Sequence, residues 1–287
     1  MKKILFLLIP LWFFFIMISC TEIGPPIQLQ PEVRLLDTSY VDLNLPPADY
    51  KKVLIEEFTG VNCSNCPKGH QTMHDIEQIF GDSVIAVSIQ NDNPLAKPFD
   101  AYPDWRIEEG IQISQALGGS FAIPCASVDR VKYPGQNQVV LYSRNAWKTY
   151  TDQELHRSSP CNIELSVNYD PSLRKAIVHV KIHFLSDVDS SNNLSIMVLE
   201  DNLVAPQRLP DNSVDSNYVH RHTLRDMITP AMGSTTASST ERGRVVIRDY
   251  EYRVPDDFNE DEVIIVAFVH YIGVGQRILQ AASAALR

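Results

Sequence analysis

The sequence predicts an α/β domain followed by an all-β antiparallel sandwich. Two observations carry this expectation. Between Lys52 and His156, apolar runs of strand length alternate with stretches at helical spacing, in the order strand–helix–strand–helix–strand–helix. Past Ser158-Ser159-Pro160 the helical spacing stops, and short alternating runs recur between turn-rich segments. At 287 residues, 44% hydrophobic and 21% charged, the chain is neither disordered nor fibrous, and two domains are expected. The formal net charge is −10, and no basic run follows the first three residues. Nucleic acid is therefore not an expected partner, because phosphate binding needs a concentrated positive field.

Residues 1–19 read as a signal peptide. Lys2 and Lys3 precede an uncharged apolar stretch, Ile4 to Ile18, shorter than the roughly 20 residues that a membrane-spanning helix needs. Met17-Ile18-Ser19-Cys20 resembles the lipobox of bacterial lipoproteins, which implies a lipid on Cys20 that holds the protein to a membrane without spanning it. Residues 20–47, with Pro25, Pro26, Pro31, Pro46 and Pro47, read as a tether containing one short strand at Val33–Leu36.

The first domain is assigned to residues 48–158. Val53-Leu54-Ile55 opens a strand ending at Thr59-Gly60, and Cys66 to Phe80 has Met73, Ile76, Ile79 and Phe80 at helical spacing. Val84–Ile89 is a second buried strand, and Ile107–Leu117 is a helix closed by Gly118-Gly119. A third strand follows Pro124 and runs to Val128, and Val139–His156 reads as one long helix. The second domain, 159–287, is expected to build its sandwich from Ile163–Val167, Ala176–Phe184, Leu194–Leu199, Val245–Tyr252, Val263–Val269 and Ile278–Ala282.

The chemistry concentrates at Cys63-Ser64-Asn65-Cys66-Pro67, between a strand and a helix. Unpaired amides and the dipole at a helix N-terminus stabilise a thiolate. Cys63 lies outside the helix and is expected to meet solvent as the nucleophile, with Cys66 as the resolving thiol. Pro67 lacks only an N–H that the first helical turn does not use. In thioredoxin-fold proteins a cis-proline lies beside the dithiol and a buried acid assists the second cysteine. Pro124 and Glu57 stand where those two would be, so the α/β domain is read as thioredoxin-like. A zinc site would need a second ligand pair, and there is no other C-x-x-C. An inert structural disulfide remains the alternative.

The run Val53 to Gly69, the segment Tyr218–Arg225 and the closing Ile278–Ala282 resemble the outer membrane protein 28 family of envelope lipoproteins over roughly residues 50 to 287. The resemblance implies a thioredoxin-like first half, a β-rich second half and an outer-membrane location. It also implies a role as a surface adhesin or receptor. Two functions are thus carried forward: thiol–disulfide exchange on envelope proteins, and a binding protein whose C-x-x-C is only a staple.

The remaining candidates read more plainly. Cys125 is expected to be buried and inert rather than a third redox thiol, and a Cys125–Cys161 bridge is the lesser alternative. His220 and His222, two apart, read as packing or hydrogen-bonding side chains rather than a metal pair. His70 and His74 read as a solvated helix face. No Gly-rich phosphate loop is present, and neither a cofactor nor a metal is expected.

Overall fold

A computed structural model describes residues 35–119, 122–188, 191–273 and 276–287. The proposed signal peptide, Cys20 and the first part of the tether lie outside the described residues. The elements, in order, are β1 (Asp37–Val41), β2 (Val53–Thr59), α1 (Cys66–Phe80), β3 (Val84–Gln90), α2 (Glu108–Ala116), β4 (Cys125–Val128) and α3 (Arg144–Leu155). There follow β5 (Cys161–Asp170), β6 (Lys175–Phe184), β7 (Asn192–Glu200), β8 (Leu203–Arg208), β9 (Val214–His220), β10 (Thr223–Met227), β11 (Ser234–Thr235), β12 (Arg244–Arg253), β13 (Val263–Tyr271) and β14 (Ile278–Ala285).

The expected fold class, a thioredoxin-like α/β domain followed by a separate antiparallel sandwich, is overturned by the sheets. One mixed eight-stranded sheet takes strands from both halves in the order β14-β13-β7-β10-β3-β2-β4, with β11 added beside β7. The join is β10, which runs antiparallel to β7 and parallel to β3, with Thr223 opposite Ser88. The Ser88 amide also donates to the carbonyl of His222 at 2.8 Å. The strands beyond residue 160 therefore continue the sheet that β2 and β3 begin, and strand predominates over helix. Alternation in the sequence marks a strand, but it does not say which sheet edge that strand will join.

A second sheet, β1-β12-β6-β5, is antiparallel throughout. Its inward side chains, Val178, Val180, Ile182 and Val246, pack with Ile196, Val198, Ile265 and Ala267 of the mixed sheet. The mixed sheet has a core on each face near β2. On one face Val53 and Ile55 meet Met73 and Ile76 of α1 and Trp147 of α3. On the other, Leu54 and Phe58 meet Ile113 of α2 together with Leu199, Leu224 and Phe268. That second core is built jointly by both halves of the sequence.

Of the short strand expected at Val33–Leu36, residues 33 and 34 lie outside the described residues; β1 runs along the edge beside β12. Helix α3 starts at Arg144 rather than Val139, because Leu141 exchanges two backbone hydrogen bonds with Ala126. The Trp147 indole N–H then donates to the Leu141 carbonyl at 2.8 Å and holds that turn. Strands β8 and β9 form a two-stranded sheet outside both larger ones.

Candidate functional site

The carboxyl end of β2 runs through Gly60 into a tight turn that delivers Cys63 to the start of α1. The Cys63 amide donates to the Gly60 carbonyl at 3.1 Å, and the Cys66 amide to the Cys63 carbonyl at 3.2 Å. Gly60 has no room for a side chain, since an added Cβ would lie 2.5 Å from the Leu95 carbonyl oxygen. Cys63 and Cys66 are joined in a disulfide with Cα atoms 5.3 Å apart. The Sγ of Cys63 lies 3.6 Å from the Ile123 carbonyl oxygen, and the Ile123–Pro124 peptide is cis. Pro124 thus borders the disulfide.

Glu57 stands beneath this motif. Strand residues alternate between faces, and Glu57 shares the α1 face of β2 with Val53 and Ile55. On α1 the buried stripe is Cys66, Gly69, Met73 and Ile76. A Cβ on Gly69 would sit 2.3 Å from Oε1 of Glu57 and 2.9 Å from Cβ of Pro124. The helix can approach only because residue 69 has no side chain. Glu57 is fully buried, and neither carboxyl oxygen makes a well-formed hydrogen bond. Burial raises its pKa well above the ordinary carboxylate range, and the Ser88 side chain offsets part of that rise.

Contrary to the expectation that Cys63 meets solvent, it is only 2% exposed, and Cys66 is 0% exposed. A segment far along the chain bonds to the backbone of this turn. The backbone N–H of Arg208 donates to the Val61 carbonyl at 2.8 Å. The side-chain amide of Gln207 donates to the Cys63 carbonyl at 3.1 Å and to that of Gly60 at 3.4 Å. Ala205 packs with Val61 and Trp105.

His70 is likewise not on a solvated face. Its Nε2 is 2.7 Å from Thr59 Oγ1 and its Nδ1 2.8 Å from the Tyr218 hydroxyl. Burial first, and then the neighbouring His220, hold its pKa down to about 3, so the ring is neutral at physiological pH. The ring is covered because Tyr218 and His220 bring β9 against α1. Between them lies a polar cleft of about 210 Å³, lined by Glu57, His70, Ser88, Gln90, Tyr218 and His220 among others.

His220 and His222 do not share a strand face. His220 ends β9, its Nε2 3.3 Å from the Ala205 carbonyl and its ring edge-on to Trp105. His222 sits in the turn to β10 at φ +53°, 2.9 Å from Glu77 and 3.2 Å from Asp201. Cys125 and Cys161 are both free and buried, so no bridge joins them. Burial pushes the Cys161 thiol up to about 12, and Cys125 higher still. Gln207, Tyr218 and Gly69 are the site residues that motif reasoning did not assign. Gly69 had a signal, three residues after Cys66 on the helix stripe. Gln207, 144 residues from Cys63, had none.

A family model described as outer membrane protein Omp28 matches residues 113–286, more than half of the chain. No curated protein matches. Among solved structures, HBP35 of Porphyromonas gingivalis is similar at TM-score 0.65 and 19% identity, covering 83% of this chain and 76% of that one. A crystal structure of an Agrobacterium tumefaciens protein gives TM-score 0.53 and 12% identity, covering 83% of this chain and 96% of the other. At such identities the likeness is one of fold. Among the described residues no helix is long and apolar enough to cross a membrane.

Proposed function

The chain belongs to the Omp28 family of outer membrane proteins, and from that premise we propose a lipoprotein, tethered through Cys20, that exchanges disulfides with envelope proteins through Cys63 and Cys66. The observation that carries the reading is Glu57, fully buried, packed against the bare Cα of Gly69 on the first turns of α1, with its pKa raised by burial. A fully buried acid is costly to keep ionised, and groups with pKa values shifted by burial cluster where a proton must be moved.

In the reduced protein, the Cys63 thiolate at the start of α1 attacks a substrate disulfide. A Cys63–substrate bond forms, and the second substrate sulfur leaves as a thiolate. Cys66 gives its proton to the Glu57 carboxylate and attacks Sγ of Cys63. The internal disulfide closes, and the first substrate sulfur departs. Two electrons have passed to the substrate. The closed Cys63–Cys66 disulfide is the state that this step leaves. The reverse sequence oxidises a substrate dithiol, and Pro124 with the Ile123 carbonyl forms the wall beside Cys63 in either direction.

Cys66→Ser should trap envelope proteins as mixed disulfides on Cys63, and reduced wild type should be alkylated at Cys63 before Cys66 at slightly acidic pH. Absence of trapped partners, with a dithiol potential below about −300 mV, would remove the exchange reading. The burial of both sulfurs favours the second reading, a surface binding protein with a stapled turn, which that result would install. Separately, Cys20→Ser should abolish lipid labelling and release the protein from washed membranes.

A further inference from the structure

We infer that the β8–β9 hairpin is a gate over the Cys63–Cys66 disulfide, occupying the place that an extended polypeptide substrate must take. The inference rests on the exchange reading for its biological meaning, but its geometry stands independently. Attack on a disulfide needs a sulfur approached along the S–S axis, and neither sulfur offers surface for that approach.

The cover is fastened by hydrogen bonds, by the Arg208 guanidinium over the Phe99 ring and by the His220 ring edge-on to Trp105. One backbone N–H, that of Arg208, meets the Val61 carbonyl, as a neighbouring strand would. The Gln207 amide satisfies the carbonyls of Gly60 and Cys63. On the other strand, the Tyr218 hydroxyl meets His70 one helical turn past Cys66. The apolar contact is small: Ala205 and Leu203 against Val61, Trp105 and Phe99. Neither strand is hydrogen-bonded into the larger sheets, and a two-stranded hairpin is marginal by itself. Segments with little apolar contact open below the threshold of global unfolding. Lifting the hairpin frees the Gly60, Val61 and Cys63 carbonyls together with the sulfurs, so a polypeptide that repairs those hydrogen bonds is favoured over a small disulfide.

The test uses the oxidised, full mature chain with dithiothreitol under native conditions. It follows both the rate of Cys63–Cys66 reduction and hydrogen exchange at the Arg208 amide. Gln207→Ala and Tyr218→Phe should each speed both processes by the same factor, about fivefold for one net hydrogen bond of ~1 kcal/mol. The thermal midpoint should stay nearly unchanged. Faster Arg208 exchange with unaltered reduction would mean that the hairpin lifts without exposing the sulfurs, and the gate would be wrong. Reduction that tracks global unfolding in every variant would also overturn it. A rate shift without trapped partners in Cys66→Ser removes the exchange reading alone. Trapped partners with unshifted rates remove the gate alone.

Discussion

The two faces of β2 bury one glutamate each, at adjacent positions, and treat them in opposite ways. Glu56 faces the α2 side, where Arg130 donates to it from Nη2 at 2.6 Å and from Nε at 2.9 Å, and the Ser127 hydroxyl donates at 2.8 Å. Glu57 faces α1 with no cation and no well-formed hydrogen bond. Each face also carries its own sulfur: the free thiol of Cys125 with Phe58 on the Glu56 side, and the disulfide on the Glu57 side. Both carboxyls are fully buried, so burial alone does not mark a functional acid. What separates them is compensation. The paired acid is held by a guanidinium and a hydroxyl, and the other is left with a pKa raised by burial.

The largest expected effect lies on the compensated face. Arg130→Leu strands the Glu56 carboxylate and removes the guanidinium 5.1 Å above the Phe268 ring. A loss of about 3–5 kcal/mol is expected in urea unfolding. Adding Glu56→Gln should recover much of that, because the uncompensated charge is gone. If Arg130→Leu costs less than about 1 kcal/mol, the two glutamates do not differ as described.

The second effect belongs to the disulfide. Cys66→Ser opens a loop of only three residues' separation, for which chain entropy sets a loss of about 2 kcal/mol. A much larger loss would make the pair a staple of the whole fold rather than of one turn.

The pH dependence comes next. Because the folded pKa of Glu57 is raised, the folded state holds a proton that the unfolded chain has released. Stability is therefore full below the unfolded value of about 4.3 and is lost as pH rises through the folded one, by about 1.4 kcal/mol per pH unit between the two. His70 and His220, held down to about 3 and about 4, act with the opposite sign. They destabilise the fold as pH falls below about 6.5. The clean window is therefore above pH 7, where Glu57→Gln should unfold at higher denaturant than wild type. Equal profiles there would show that Glu57 is not the raised acid.

Only the Glu57 side of this contrast was read from the sequence; the Glu56–Arg130 pair was not. Helix α1 occupies Cys66–Phe80, as its spacing required, and Glu57, Cys63, Cys66 and Pro124 do converge. These signals are local or lie within one strand–helix unit. The assembly was not legible, because β10 reaches β3 through a single parallel register pair, Thr223 with Ser88. Nor was the cover: Leu203–Arg208 reads as a weak strand with a proline in it, and nothing local ties Gln207 to Cys63. Gly69 was legible in principle, as a glycine on the buried stripe of a helix where alanine would be favoured.

The smallest effect is the sharpest test of whether the two faces are separate. Cys125 sits opposite Phe58 in the β2–β4 register, on the side of β4 away from α1, and is fully buried. Its thiol is pushed far above the ordinary range, chiefly by burial, so it stays protonated and unreactive. Cys125→Ala should cost about 1 kcal/mol for the lost sulfur contacts. It should leave both the alkylation rate of reduced Cys63 and its pH profile unchanged. In wild type, native alkylation after mild reduction should modify Cys63 first, with Cys125 and Cys161 reacting only on unfolding. If Cys125→Ala instead alters the Cys63 profile, or if Cys125 forms a bond with either member of the pair, it is a third redox thiol. The Glu56 side would then belong to the chemistry as much as the Glu57 side, because a sulfur on one face would be exchanging electrons with the pair on the other.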